Sequence, residues 1–200
     1  MRQSAPGGKI AIVAAGSSEL MSETDIRSTY DRSKISRRNR QMIHHERSLE
    51  IDANPERIWA ILSRFIQIDE IAPQIAQVEA LTYGATGIGS RRRCYFENGT
   101  SLVEEVTKWD PNRGYTVRLS EMSAMPLIEA HAAIAIEPLA QTRTRVTWSM
   151  DYTVKYGPLG WLMGQSLMKM MMSRVLDGNL KALADKVSSD IIPEAQPAYY

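Results

Sequence analysis

Between residues 143 and 155 the chain alternates without a break. Val146, Trp148, Met150, Tyr152 and Val154 fall on one side; Arg145, Thr147, Ser149, Asp151, Thr153 and Lys155 fall on the other. Successive side chains of a β-strand point to opposite faces, so this segment is a strand with one apolar face and one wet face. Such strands belong to antiparallel sheets that are covered on a single side. The cover has to be found elsewhere in the chain.

It is found downstream. Trp161, Met168, Met172, Leu176, Leu180, Leu183 and Val187 recur at spacings of seven, four or three, the stripe of a long amphipathic helix. Pro158 can open that helix, and from there to Val187 it would be about 45 Å long. Gly164 and Gly178 each cost up to about 1 kcal/mol against alanine, which favours a bend at Gly164. Upstream, residues 74–137 read as further strands separated by turns, with Asn98-Gly99 a strong hairpin signal and Pro138 expected to end the strand over 127–137. Residues 45–51 form an opening strand. Asn54 then caps a helix with Pro55 in its first turn, and a second short helical piece over 66–71 stops before Pro73. The order is strand, two short helices, about six antiparallel strands and one long helix: an α+β domain whose helix covers the sheet.

This folded part is expected over residues 43–188. Residues 1–42 carry eight Lys or Arg against four Asp or Glu and lack regular apolar spacing after Ser17, so they read as a mobile arm; residues 189–200, with Pro193 and Pro197, read as a loose tail. The apolar stretch from Ile10 is too short for the core of a signal peptide, and no run approaches a membrane span, so no stable membrane insertion is expected. Lys and Arg total 24 against 23 for Asp and Glu, which removes the general electrostatic argument for a nucleic-acid partner. Cys94 is the only cysteine; it has no disulfide partner and no metal-ligand spacing, so a reducing, cytoplasmic setting is expected and no metal or cofactor.

Several segments together resemble the START and birch-pollen-allergen-like helix-grip superfamily, often called SRPBCC, in its polyketide cyclase/dehydrase and lipid-transport branch. They are Ile51-Asp52-Ala53-Asn54-Pro55-Glu56-Arg57-Ile58-Trp59, Gly87-Ile88-Gly89-Ser90-Arg91, Glu104-Glu105-Val106-Thr107-Lys108-Trp109-Asp110-Pro111, Thr144-Arg145-Val146-Thr147-Trp148 and Asn179-Leu180-Lys181. The resemblance implies a curved antiparallel sheet of about seven strands wrapped around the C-terminal helix. It also implies a cavity between them for a lipid, isoprenoid or polyketide-like molecule, either carried or, alternatively, cyclised or dehydrated there. None of these motifs is catalytic.

The chain has 11 Met and only 2 Phe, and five of the Met fall between residues 163 and 172. Flexible thioethers suit an adaptable cavity wall. Met163, Met168, Met170, Met171, Met172 and Leu176 on the helix, with Trp148 and Met150 on the last strand, are therefore candidate lining, Met170 lying off the main stripe. Tyr115 and Tyr152 lie on the apolar faces of their strands and are the best candidate polar lining, with Tyr95 of the same type. Glu104 and Glu105 point to opposite faces. The inward one needs an arginine such as Arg91, Arg93 or Arg118, and Glu105 is taken as the candidate. Glu129 and His131 share a face and would suit acid/base catalysis of a cyclisation or dehydration if that face is the cavity wall. The apolar face marked by Ile134 and Ile136 argues for the wet side instead. Asp151 shares the polar face with Thr153 and Lys155 and reads as a member of an exposed cross-strand ion pair, and His44 and His45 read as solvent-facing.

Overall fold

A computed structural model describes residues 42–155 and 168–190, apart from residues 85, 123, 124 and 126. The expectations for the arm, for a helix start at Pro158, for a bend at Gly164, for Trp161 and Met163, and for the last ten residues lie outside the described residues.

The described chain is a seven-stranded antiparallel sheet with three helical pieces. After β1 (Ile43–Ile51) come α1 (Pro55–Leu62) and a 3-10 helix (Phe65–Glu70). The strands then run on as β2 (Ile75–Ala80), β3 (Arg91–Phe96), β4 (Ser101–Asp110), β5 (Gly114–Ser120), β6 (Leu127–Ala140) and β7 (Arg143–Val154), followed by α2 (Lys169–Ser189). The sheet order is β1-β7-β6-β5-β4-β3-β2, a meander closed at one side by β1, which crosses over to pair with β7. The expected helix-grip arrangement is therefore present.

Local chemistry sets the element ends. Asn54 Oδ1 accepts the Arg57 backbone N–H at 2.9 Å and Pro55 occupies the first turn of α1, which satisfies donors that a helix start otherwise leaves open. Between β3 and β4 the turn uses Gly99 at φ 78°, a conformation that glycine adopts without a Cβ penalty. One expectation fails: β6 runs through Pro138 to Ala140. β5 pairs with β6 only as far as Ala135, so the nitrogen of Pro138 lies beyond the end of that neighbour. A proline there forfeits no ladder bond.

The alternation of β7 is realised up to Tyr152; past it Thr153, expected on the wet face, is buried and Val154 is half-buried. Val146, Trp148, Met150 and Tyr152 are buried on the inner face, and α2 lies on that side with Met172, Leu176, Leu180, Leu183 and Val187 buried beneath it. Burying each such side chain is worth roughly 1.5–3 kcal/mol. Polar ties fix the helix along its length. Arg47 donates to Ser173 Oγ at 2.6 Å and pairs with Asp177 at 3.4 Å, while Arg57 donates to the Val187 carbonyl at 2.5 Å. α2 packs chiefly on β1 and β7, and the 3-10 helix packs on β2 at the other side of the sheet.

Gly114 opens β5 at φ 120°, and a Cβ there would run into the backbone carbonyl of Ile134 on β6. Neither backbone can yield without breaking the ladder. Gly114→Ala should therefore lower the unfolding free energy by at least about 2 kcal/mol in a denaturant titration; an unchanged midpoint would show that β5 and β6 can separate at this end.

Candidate functional site

The inner face of the sheet carries two polar constellations in an apolar field. The first lies across β3, β4 and β5. Arg92 is only 1% exposed, a placement that needs a charge partner. Its Nε donates to Glu104 Oε2 at 2.6 Å and its Nη2 reaches the same carboxylate. Nη1 donates to the Phe65 carbonyl, and the guanidinium sits over the Phe65 ring, 3.9 Å from its centroid. Burial pulls the Arg92 pKa down, but the Glu104 carboxylate more than offsets that and the net direction is up. The ion pair is therefore complete within the chain, and its work is to fasten the 3-10 helix to β3.

Around it Phe65 meets Tyr115 edge-on at 6.0 Å, Trp109 stacks on Tyr115 at 5.5 Å, and Trp59 meets Trp109 at 4.9 Å. Burial pushes the Tyr115 phenol up, opposed in part by the charge of Arg92. Cys94 is buried beside Glu104, and burial followed by that carboxylate's charge pushes its thiol up to about 12. A thiol held that far from ionisation is an apolar packing group rather than a nucleophile.

The second constellation lies where β1 and β7 run under α2. His45 Nε2 and the Tyr152 hydroxyl are 3.0 Å apart, with ring centroids at 5.6 Å. Burial, then the charges of Lys169, Arg47 and His44, lower the His45 pKa, while burial raises that of Tyr152. Both shifts disfavour charge on the pair, and the tautomer of the imidazole sets which of the two groups donates. Met150, Trp148, Met172 and Leu176 surround this region with buried apolar surface, and Asn179 is buried on α2.

Most of the expected lining residues lie inside. Tyr115, Trp148, Met150, Tyr152, Met172 and Leu176 are buried, and Met168 packs half-buried against the same core. Two do not. Tyr95 faces outward and donates to Glu79 at 2.7 Å. Glu105 also faces outward, accepting from Arg118 at 3.0 Å; the inward carboxylate is Glu104, and its partner is none of the three arginines expected but Arg92. The cause is register: antiparallel pairing sets Arg92 opposite Glu104 and Arg91 opposite Glu105. Met171, expected on the wall, is 50% exposed.

The catalytic candidates also change. Glu129 and His131 are 3.3 Å apart but on the outer face, because Ala130, Ile134 and Ile136 take the inward positions of β6. Asp151 forms the expected exposed cross-strand pair, with His44 of β1 at 2.7 Å, and His45 turns inward rather than to solvent. Sequence reasoning passed over Arg92, Glu104, His45 and Asn179 as site residues. The usable signal for the first was that Arg92 shares strand parity with Cys94.

Comparison with known proteins places this geometry. The family described as polyketide cyclase/dehydrase and lipid transport has a model that matches residues 42–188. Among solved structures, Zhui aromatase/cyclase from Streptomyces sp. R1128 superposes with a TM-score of 0.62 at 18% identity, covering 74% of this chain and 94% of its own. Norcoclaurine synthase from Thalictrum flavum, in complex with dopamine and hydroxybenzaldehyde, gives 0.64 at 15% identity over 92% and 98%. A START superfamily protein from Mycobacterium smegmatis gives 0.57 at 22% over 73% and 97%. No curated protein matches the chain in sequence.

Two outcomes are expected at these residues. Glu104→Gln leaves Arg92 buried without its counter-charge and should cost about 3–5 kcal/mol in chemical denaturation, whereas the pair Arg92→Met with Glu104→Leu should regain most of that loss. A double variant no more stable than the single one would mean that the uncompensated charge is not the cause. The adjacent histidines should titrate on opposite sides of 6.5 by NMR. The bond to Asp151 raises His44, so its contribution to stability is fully present below 6.5 and fades as the pH climbs through the raised folded value. His45 is lowered, so its contribution is present above 6.5 and is lost as the pH falls through the lowered value. A shared midpoint for the two rings would contradict these environments.

Proposed function

The chain belongs to the polyketide cyclase/dehydrase and lipid transport family, and from that premise we propose that it binds and carries a hydrophobic small molecule between its sheet and α2. The occupant in this reading is a largely neutral lipid, isoprenoid or polyketide-like compound. The observation that carries the reading is one of width. Seven strands at about 4.8 Å spacing make a face about 29 Å across, whereas one helix with its side chains is about 10–12 Å wide. Helix α2 lies over the β1 and β7 side, and the inner face continues beyond it with Tyr115, Val117, Leu119, Ala130 and Ile134 turned inward.

The character of the polar groups supports a neutral occupant. Arg92 and Glu104 neutralise each other, and His45 is held toward its neutral form, so the inner face presents no free charge at these positions to recruit an ion. Apolar surface with a few placed polar groups is the usual make-up of a small-molecule site. A cytoplasmic location is part of the same proposal, since the thiol of Cys94 fits a reducing compartment. Among the described residues no helix is long and apolar enough to cross a membrane.

The second reading is an aromatase/cyclase or dehydratase. It rests on the His45–Tyr152 hydrogen bond, an acid/base pair on the inner face, now that Glu129 and His131 are known to lie outside. The carrier reading is tested by native mass spectrometry of the protein purified from cells, which should show an apolar adduct that organic solvent removes. The emptied protein should then enhance the emission of a hydrophobic fluorescent probe. Protein that carries no adduct and leaves the probe dark would overturn it.

A further inference from the structure

Among the described residues, two buried side-chain atoms lack a hydrogen-bond partner: Arg91 Nε and Asn179 Oδ1. Arg91 belongs to the outer face, where its Nε lies 4.0 Å from Glu105. Asn179 is 3% exposed and belongs to the buried stripe of α2. At 100° per residue it lies about 20° round the helix from Met172, while Ser173 and Asp177 lie about 100° and 140° to the other side. Those two residues hold Arg47 of β1. Asn179 therefore occupies the edge of the stripe farthest from β1, turned toward the interior of the sheet rather than toward its rim.

An amide oxygen buried without a donor is destabilising, and a leucine would fill the same volume at no such cost. Several other polar groups of the inner face have partners within the chain: Arg92 with Glu104, His45 with Tyr152, and Thr144 with the Ala53 carbonyl. The acceptor left over is the one group there with an unmet demand, and that demand is for an O–H or N–H donor. We propose that Asn179 is the polar anchor of the interior, and that it selects hydrophobic molecules bearing a neutral hydroxyl, as an alcohol or phenol, over carboxylates and over molecules with no donor. This rests on the carrier reading and adds its specificity. A site built to bond a hydroxyl discriminates strongly against an analogue that lacks it, because its own buried group is then left unpaired. A carboxylate would have to give up its hydration in an apolar setting where Arg92 is already neutralised by Glu104.

The test compares 1-decanol, decyl methyl ether and decanoate as displacers of a hydrophobic fluorescent probe from the full-length protein. The alcohol should bind about tenfold more tightly than the ether, the value of one hydrogen bond, and more tightly than decanoate at neutral pH. Asn179→Leu should bring the alcohol-to-ether ratio to about one without weakening the ether, and Asn179→Ala gives the same comparison should the leucine variant not fold. A ratio that survives both substitutions puts the preference for a hydroxyl elsewhere than on Asn179, and overturns the proposal. So does a ratio lost in Tyr152→Phe but kept in Asn179→Leu, which would put the hydroxyl on the other polar pair. Equal displacement by alcohol and ether in the unsubstituted protein overturns this inference alone, whereas displacement by neither overturns the carrier reading with it.

Discussion

The structure depends on a mismatch between a wide sheet and a narrow cover. A one-sided antiparallel sheet has to shield its apolar face along its whole width, and this chain supplies one long helix to do so. The solution divides the labour. Helix α2 shields the side formed by β1 and β7, the 3-10 helix shields the side toward β2, and α1 packs on α2 and β6. Between the two covers, inner-facing side chains of β4, β5 and β6 are buried by curvature and by one another.

The second cover is short, and short helices contribute little stability of their own. That explains why a full ion pair is spent at Arg92. Its carboxylate partner comes from β4, its carbonyl partner from the 3-10 helix, and the ring beneath it from the same helix. One guanidinium thus ties three segments together: β3, β4 and the 3-10 helix. Buried pairs are weak evidence for stability but are well suited to fixing position, and position is what a cover over an interior requires.

How much of this could be read from residues follows from where periodicity speaks. β7 alternates cleanly, and its inner face was legible residue by residue; so were the Asn54 cap and the Asn98-Gly99 turn. β4 was not, because Leu102 and Val103 are both buried and Glu104 and Glu105 then follow in sequence, leaving no parity to decide which carboxylate turns inward. β3 offers three arginines in a row, and only the strand register sorts them. β6 is irregular near Leu127, yet Ile134 and Ile136 already pointed to the face opposite Glu129 and His131. His45 was obscured because β1 carries charged or polar side chains on both faces, and only its pairing with β7 shows which one is inward. Asn179 stands in a helical stripe of leucines, where spacing marks it as buried but cannot say that its amide lacks a partner.

β1 and β7 pair across about a hundred residues of chain, with Ile43 opposite Tyr152 and Ile51 opposite Thr144. Helix α2, which rests on β1, comes later still. A nascent chain therefore makes its first strand and then has nothing to pair it with until nearly the whole domain has left the ribosome. The hairpins from β2 to β6 can form in order as they emerge, but β1 waits, and the interior stays open on that side. Loop closure over so long a separation makes this the slow step of folding. It also means that the interior first becomes enclosed when the two ends of the domain meet.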